Sequence, residues 1–138
     1  MQEFTVKSIS EYTPLFSAII AENESNIIVL SGDLGSGKTT FTKAFIKRIG
    51  STDIVSSPTF SIVNAYALEE ETIYHFDLYR IKNIDELLDL GFEEYLDNGK
   101  YIIIEWPEVA LPLLQDGYLS LEFHILNNTS RKITVTRI

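Results

Sequence analysis

The sequence of 138 residues contains no cysteine and no long hydrophobic run. Without cysteine the chain can form neither disulfide bonds nor thiolate metal sites, which agrees with a reducing compartment. A membrane-spanning helix needs about 18 or more consecutive apolar residues, and no stretch approaches that length. The first residues, MQEFTVKSISEY, lack the basic region and apolar core of a secretory signal. We therefore expect a soluble, cytoplasmic protein without a membrane partner.

Positive charge is also scarce. Lys and Arg number 11 against 20 Asp and Glu, so the formal net charge is −9. A surface this acidic repels a phosphate backbone unless its cations are concentrated in one place, which disfavours direct nucleic-acid binding. Six acids fall within 85–97, DELLDLGFEEYLD, beside the apolar stripe of one or two short helices. They form either a solvated helix face or a docking site for a basic partner.

A glycine-rich turn lies between an apolar run and a helical pattern. Residues 27–30, IIVL, are typical of a strand covered on both faces. Residues 32–39, GDLGSGKT, match the P-loop spacing G-x-x-x-x-G-K-[ST], and apolar residues then recur at helical spacing from Phe41 to Ile49. This order of strand, loop and helix favours a P-loop over a chance glycine-rich turn before a helix.

The residue types of this loop fit phosphate binding. Gly32, Gly35 and Gly37 permit backbone angles that a side chain would forbid, so successive N–H groups can turn inward around an anion. The helix that begins near Gly37 adds unpaired N–H groups and the positive end of its dipole. Lys38 can then reach the β- and γ-phosphates of a nucleotide, and the Thr39 hydroxyl can ligate the Mg²⁺ that bridges them.

The other patterns predict one α/β domain over residues 1–138. Residues 4–7 alternate as a strand, Ser10 can cap a helix to about Ala21, and Gly50 closes the P-loop helix. Later strands are predicted at 59–68, 72–79, 101–105, 119–126 and 132–138. The first two form a hairpin, so part of the sheet is antiparallel. We predict a three-layer sandwich around a P-loop NTPase-type mixed sheet of about seven strands, with its site beyond the carboxyl ends of the parallel strands.

Two carboxylates at predicted strand ends can complete the site. A P-loop holds phosphates but does not align a water, so a hydrolase needs an acid elsewhere to fix Mg²⁺ or the nucleophile. In YIIIEW, an apolar run leads to Glu105, which is a Walker B pattern; the alternative is a solvated acid at a strand end. In YHFDLYR, Asp77 lies between Phe76 and Leu78, which point to the other face; a structural salt bridge with Arg80 is the alternative.

Three further features allow two interpretations each. The SPTF segment at 57–60 puts Thr59 where nucleotide switches place a γ-phosphate sensor, but a plain turn fits equally. His75 is expected on the same strand face as the acid two residues later, either as a structural hydrogen-bonding residue or as a catalyst. Pro107 blocks continuation of the strand before it, and Trp106 can pack in the core or offer an aromatic anchor to a partner.

Four segments together identify a family resemblance. In this order, GDLGSGKTTFTKAF, SPTFSIVNAY, HFDLYR and IEWPE closely resemble the TsaE (YjeE) family of bacterial P-loop ATPases. That family supports formation of N6-threonylcarbamoyladenosine at position 37 of tRNAs, and the resemblance covers roughly residues 8–138. It implies an ATPase that acts on a TsaD–TsaB heterodimer, where ATP binding and hydrolysis reset the complex between turnovers. Contact with tRNA is then indirect, through the complex.

The resemblance also implies roles for the residues of the site. The phosphates are held by Gly35, Ser36, Gly37, Lys38, Thr39 and Thr40. Thr39 and Glu105 ligate Mg²⁺, while Asp77 takes part in hydrolysis or in positioning a metal-bound water. The implied catalytic residues are Asp77, Glu105 and Lys38. Family members also contact the base and sugar from the N-terminal segment, near Ser10 and Glu11, and from a C-terminal loop, where Arg131 is the nearest match.

Three rival functions use the same loop. A small-molecule kinase would need a basic lid that clamps a second phosphate substrate, but cations are sparse beyond the P-loop helix. A GTPase switch is disfavoured because the sequence has no N/T-K-x-D segment that reads guanine. A nucleotide-dependent interaction module with negligible turnover differs from the ATPase only in its rate. For the ATPase itself we expect slow or undetectable activity from the isolated chain and stimulation by its partners.

Overall fold

The structure, a computed structural model, describes residues 1–22, 24–56, 58 and 61–138. The strands in these ranges are β1 (Gln2–Val6), β2 (Ile27–Ser31), β3 (Val63–Ala67), β4 (Thr72–Asp77), β5 (Tyr101–Glu105), β6 (Leu119–Ile125) and β7 (Arg131–Arg137). The α-helices are α1 (Thr13–Ala21), α2 (Lys38–Ile49), α3 (Ile84–Asp89) and α4 (Phe92–Asn98). Short 3-10 turns cover Ile9–Tyr12, Pro107–Val109 and Leu111–Leu113. None of the helices in the described ranges is long and apolar enough to cross a membrane.

The seven strands of the described residues form one mixed sheet in the order β1-β7-β6-β2-β5-β4-β3. The central β2 is parallel to both β5 and β6, and β4 is parallel to β5. The outer pairs β1–β7, β6–β7 and β3–β4 are antiparallel. Because β2, β4 and β5 run in the same direction, their carboxyl ends meet at one edge of the sheet, as the predicted fold class requires.

Helices cover both faces of this sheet. On one face, α1 and α2 contribute the buried rings of Phe16, Phe41 and Phe45, and Phe41 also contacts Phe123 of β6. On the other face lie two short helices, where the sequence predicts one or two within 85–97: Leu87 of α3 and Phe92 of α4 are fully buried in the second core cluster, whereas Leu88 is exposed. The predicted three-layer α/β sandwich is confirmed, with the sheet between two apolar cores.

The predicted helix start at Ser10 is wrong. Ser10 lies inside the 3-10 turn, its hydroxyl is 2.9 Å from that of Ser8, and α1 begins only at Thr13. A helix capped at Ser10 would need the N–H of Pro14 to donate to the Ser10 carbonyl, and proline has no N–H. Pro14 instead occupies the first turn of α1, where no such donor is needed.

The first hairpin strand begins later than predicted. Ile62 has φ 70, a left-handed conformation that a β-branched residue rarely adopts and that interrupts extended backbone. Its N–H donates to the Pro58 carbonyl at 2.7 Å, and its carbonyl accepts from the N–H of Asp77 at 2.8 Å. The strand therefore starts at Val63. The predicted starting position, 59, lies outside the described residues.

The remaining predicted boundaries are accurate to within two residues. The strand predicted at 101–105 has those limits, and Gly50 caps α2 as expected. The others differ at their ends: 4–7 is Gln2–Val6, 72–79 ends at Asp77, 119–126 ends at Ile125, and 132–138 is Arg131–Arg137.

Candidate functional site

The loop after β2 has the backbone conformation that its glycines predict. Gly32, Gly35 and Gly37 have φ angles of 144°, 78° and 106°, all in the region that favours glycine. Gly37 is the N-cap of α2, and its carbonyl accepts from the N–H of Phe41 at 2.9 Å. The loop therefore joins the central strand directly to a helix N-terminus, which favours an anion at that point.

Gly32 also lies too close to its neighbours to carry a side chain. A Cβ built on it would be 2.8 Å from the backbone oxygen of Phe123 and 2.8 Å from the Ser36 hydroxyl oxygen. Real Cβ atoms are essentially never this close to another heavy atom. The start of the loop is thus packed directly against β6, and this contact fixes its position relative to the sheet.

Lys38 is buried at the start of α2, with 6% of its surface exposed. Its Nζ donates to the Gly32 carbonyl at 2.7 Å and lies 4.2 Å from the centre of the Trp106 ring. Trp106 adopts φ 55 directly after β5, and its ring meets that of Tyr79 edge-on at 5.1 Å. The half-buried Trp106 ring does not pack in the core but forms a wall of the site, against the lysine of the P-loop. Its second interpretation, an aromatic anchor for a partner, stays a prediction.

The two predicted carboxylates are neighbours at the carboxyl edge of the sheet. Asp77 and Glu105 are register partners at the ends of β4 and β5, and both are buried. The Asp77 Oδ1 accepts from the N–H of Tyr79 at 3.0 Å. Burial excludes the alternative in which Glu105 is a solvated acid at a strand end.

A cavity of about 220 Å³ brings the loop and the carboxylates together. Its lining consists of Leu34, Gly35, Gly37, Lys38, Thr39, Thr40, Asp77, Glu105 and Trp106. We call it the phosphate cavity. It gathers residues from three separate strand ends, as the sequence predicted.

His75 lies directly behind this cavity. It is fully buried on the strand face that also carries Asp77, as predicted, and its Nε2 is 2.7 Å from the Oε2 of Glu105. The tilted ring of Tyr66 is 6.4 Å from the His75 ring, centre to centre. The sequence pattern placed His75 on the correct face but could not show that it meets Glu105 of the next strand.

A second cavity, of about 280 Å³, lies on the other side of the loop. It shares Gly35, Gly37 and Thr40 with the phosphate cavity. Its remaining lining residues are Val6, Lys7, Ser8, Ile9, Tyr12, Asn128, Thr129 and Arg131. They come from the N-terminal segment, from the loop before β7 and from the first residue of β7, so we call this space the terminal cavity.

Arg131 connects the terminal cavity to the P-loop. Its Nη2 donates to the Gly35 carbonyl at 3.3 Å and its Nη1 to the Asn127 carbonyl at 2.8 Å. Burial raises the pKa of Tyr12 above its usual range, and the positive charge of Arg131 partly opposes that rise. Tyr12 was missed by the sequence analysis, because nothing in ISEYTP distinguishes a site tyrosine from a core one.

Two predicted site residues, Ser36 and Glu11, are absent from both cavity linings among the described residues. Ser36 is buried within the loop, whereas Glu11 lies on the surface. Its carboxylate is exposed and accepts from the N–H of Lys7 at 3.3 Å. Its neighbours Ile9 and Tyr12 line the terminal cavity instead. The contact predicted for Glu11 stays a prediction. The threonine predicted to sense the γ-phosphate, Thr59, and its neighbours Ser57 and Phe60 lie outside the described residues.

These side chains fit a nucleotide phosphate chain. The Ser36 hydroxyl and the Arg131 Nε are buried and have no hydrogen-bond partner among the described residues. Buried polar groups are nearly always paired in proteins. Arg131 lines the terminal cavity, so its unpaired Nε indicates a polar ligand there, and the unpaired Ser36 hydroxyl belongs to the loop between Gly35 and Gly37. Lys38 and the N-terminus of α2 supply the positive charge that phosphates require.

The same side chains fit Mg²⁺ in the way that nucleotide sites hold it. Among the described residues, no group of three or more His, Cys, Asp or Glu side chains could hold a metal alone. Mg²⁺ is normally bound by one or two carboxylates together with substrate phosphates and water, so a complete protein cage is not expected. Glu105, Asp77 and the Thr39 hydroxyl, all lining the phosphate cavity, supply such a partial set.

Comparisons with known proteins show which sequences and which fold the chain resembles. A family model described as "Threonylcarbamoyl adenosine biosynthesis protein TsaE" matches residues 6–133. The tRNA threonylcarbamoyladenosine biosynthesis protein TsaE of Rickettsia typhi is 39% identical over 128 residues, which cover 91% of this chain and 88% of that protein. The protein of the same description from Bacillus subtilis is 36% identical over 132 residues, covering 96% and 79%. The crystal structure of B. subtilis YdiB has a TM-score of 0.78 at 27% identity, covering 99% and 85%.

Proposed function

Because this chain belongs to the TsaE family, we propose that it binds and hydrolyses ATP with Mg²⁺ as an accessory protein in the formation of N6-threonylcarbamoyladenosine at position 37 of tRNA. Membership of the family supports the role in tRNA threonylcarbamoyladenosine biosynthesis. The ATPase activity is the finer part of the proposal. It depends on one observation: the phosphate cavity gathers the P-loop, Lys38, Thr39 and two buried carboxylates.

The P-loop and the two carboxylates of the phosphate cavity have separate proposed tasks. The N–H groups of residues 35–40 and the amine of Lys38 bind the β- and γ-phosphates. Thr39 and Glu105 hold Mg²⁺, which when bound neutralises charge that develops on the phosphates. Asp77, beside Glu105 in the register, accepts a hydrogen bond from the attacking water or from a water on the metal.

The terminal cavity is the proposed place for the nucleoside. It adjoins the phosphate cavity through Gly35, Gly37 and Thr40, so a ligand can continue from one to the other. Tyr12 offers a buried aromatic ring, and Arg131 offers a guanidinium group whose Nε is unpaired among the described residues. Glu11 stays a proposed contact from the same segment.

The proposed partners are TsaD and TsaB. In this proposal, binding and hydrolysis of ATP reset the TsaD–TsaB complex between turnovers, and the chain meets tRNA only through that complex. The net charge of −9 supports an indirect contact, because a strongly acidic surface is repelled by a tRNA backbone.

Calorimetric titration with a non-hydrolysable ATP analogue tests the site. Lys38→Ala removes a charge-assisted phosphate contact and should weaken binding about 10- to 100-fold, with or without Mg²⁺. Glu105→Ala should abolish most of the gain in affinity that Mg²⁺ gives, while affinity in EDTA changes by less than about threefold.

Two exposed residues provide matched controls. Lys43 lies on the same helix as Lys38, and Glu108 follows Glu105 closely in the chain. Lys43→Ala and Glu108→Ala should bind the analogue as the unmodified protein does. Unchanged affinity in both Lys38→Ala and Glu105→Ala would reject the assignment of the site.

A further inference from the structure

We propose that His75 is a positioning residue that fixes the carboxylate of Glu105 for Mg²⁺ binding. The inference deepens the proposed function and rests on it, because it concerns the metal ligand of the same site. His75 does not line the phosphate cavity among the described residues. It therefore acts through Glu105.

The two side chains meet across neighbouring parallel strands. In the register of β4 and β5, Asp77 is opposite Glu105, and His75 is opposite Ile103. The His75 Nε2 reaches diagonally to the Glu105 Oε2 at 2.7 Å. His75 is 0% exposed and the Glu105 side chain 6%, so bulk water does not compete for this hydrogen bond.

The hydrogen-bond pattern assigns the direction of this contact. The His75 Nδ1 is buried and has no partner among the described residues. A buried N–H without an acceptor is costly, so the hydrogen belongs on Nε2, where it is donated to the Glu105 carboxylate. His75 is thus the donor and Glu105 the acceptor.

This hydrogen bond determines the orientation of the Glu105 carboxylate relative to the phosphate cavity. The terminal torsion of a glutamate is broad, so an unrestrained carboxylate samples many orientations. Engagement of Oε2 by His75 restricts that rotation and leaves Oε1 to serve the phosphate cavity that Glu105 lines. Hydrogen bonds to metal-ligating carboxylates have this orienting effect, and their removal typically costs about 10- to 100-fold in metal affinity.

The His75 ring is itself held in place. Tyr66 lies beside it at 6.4 Å between ring centres, and the Tyr66 hydroxyl donates to the Ser56 carbonyl at 2.9 Å. Tyr66 is 3% exposed, so this side of the histidine is covered by a ring that is anchored in turn. The imidazole is therefore fixed by Glu105 on one side and by an aromatic ring on another, as a positioning residue requires.

The test compares variants of similar size that keep or remove the donor. In His75→Gln the side-chain amide nitrogen can replace Nε2, whereas His75→Leu has no donor. The affinity for a non-hydrolysable ATP analogue is measured by calorimetry in EDTA and over a range of Mg²⁺ concentrations. Electron paramagnetic resonance of Mn²⁺ with the same analogue reports the ion directly. His124→Leu, at an exposed histidine of β6, is the matched control.

We expect His75→Leu to raise the Mg²⁺ and Mn²⁺ concentrations for half-maximal effect about 10- to 100-fold, with affinity in EDTA within about threefold of the unmodified protein. His75→Gln should recover most of this loss, and His124→Leu should show none. Equal losses with and without metal, or identical behaviour of His75→Gln and His75→Leu, would assign His75 a structural role and overturn the inference.

Two further outcomes remain decisive. If His75→Leu does not fold, the comparison passes to His75→Gln and His75→Asn, because the asparagine amide replaces Nδ1 instead of Nε2. Equal Mg²⁺ midpoints in those two variants would overturn the inference. If the unmodified protein binds the analogue without any effect of Mg²⁺, the proposed function itself fails, whereas a normal Mg²⁺ effect that survives in His75→Leu rejects only the role of His75.

Discussion

Lys38 shows how a buried charge is accommodated at the scale of one residue. A lysine that is 6% exposed needs compensation, which the Gly32 carbonyl and the face of Trp106 supply. Phosphate oxygens are stronger partners for an ammonium group than a neutral carbonyl. The P-loop motif predicted Lys38 as a residue of the site, and Lys38 lines the phosphate cavity. The motif could not predict Trp106 beside it, because that contact depends on the left-handed backbone of Trp106 after β5.

Two tyrosines contribute to the change of stability at alkaline pH. Burial is the main cause that raises the pKa of Tyr12 and of Tyr101 above the ordinary value of 10.0. Below pH of about 10 both are protonated in the folded and unfolded chains, so their contribution to stability is complete. As the pH rises through their folded pKa values, the unfolded chain ionises first and the free energy of unfolding falls. We expect Tyr12→Phe and Tyr101→Phe each to reduce that fall.

Urea denaturation from pH 7 to 11.5 measures this effect. The range from pH 7 to 9 is the internal control, since neither tyrosine titrates there in either state and the two variants should follow the unmodified protein in parallel. If stability above pH 10 falls as steeply in Tyr12→Phe as in the unmodified protein, burial of the Tyr12 ring does not have the proposed effect.

At the scale of elements, the contact between the P-loop and β6 limits what Gly32 can become. Gly32→Ala adds a Cβ that would meet the Phe123 backbone oxygen at 2.8 Å, in a backbone conformation that is already unfavourable for alanine. We expect it to lower the free energy of unfolding and to weaken binding of the ATP analogue, because the loop must move away from the sheet. Urea denaturation and calorimetry measure the two effects.

Gly50→Ala is the control for Gly32→Ala, because it introduces backbone strain without a steric clash. Gly50 has φ 121 at the end of α2, but a Cβ there would meet nothing within 4 Å. Gly50→Ala should therefore cost only the strain, about 1 to 2 kcal/mol. Gly32→Ala should cost at least about 1 kcal/mol more, as expected for overpacking. Equal costs, or unchanged nucleotide binding in Gly32→Ala, would show that the loop tolerates a shift away from β6.

Element boundaries show where local patterns stop being informative. Both ends of the strand at 101–105 were predicted correctly, because its apolar run and the proline that follows it are local signals. The start of α1 was missed although the signal was present, since the absent N–H of Pro14 already rules out a cap at Ser10. The start of β3 could not be predicted from the local sequence, because the Ile62 carbonyl accepts its hydrogen bond from the N–H of Asp77 in another strand.

At the scale of the whole molecule, the sheet order explains why the site could be anticipated in part. The predicted P-loop, Glu105 and Asp77 meet because β2, β5 and β4 are adjacent and parallel, which the fold class already implies. The contact between His75 and Glu105 needs the register of two strands, and a one-residue slip would place His75 on the other face. The terminal cavity likewise depends on packing between distant segments that no local pattern encodes.

ATP turnover by the chain is expected to depend on the proposed partners. The purified chain alone should hydrolyse ATP far more slowly than about 10 per second, the median for enzymes. Addition of TsaD and TsaB should increase the rate, because the proposed task is to reset their complex. Phosphate release, measured with each protein alone and with all three, provides the test.

Binding of the partners can be measured in the same preparations. Co-purification of the chain with TsaD and TsaB, with and without ATP, should show an association that responds to the nucleotide. Lys38→Ala is the control, since it should remove both the nucleotide response and the stimulated phosphate release. A chain that turns over rapidly by itself, with no response to TsaD and TsaB, would contradict the partner-dependent proposal.

The position of Trp106 has a practical consequence. It is the one tryptophan in the sequence. Its ring centre is 4.2 Å from the Lys38 amine and 5.1 Å from the centre of the Tyr79 ring. Indole fluorescence responds to a charge at this distance, so any event that draws the amine away from the ring alters the emission. The protein therefore contains an intrinsic optical probe at the phosphate cavity, and binding there can be followed in real time without attaching a dye.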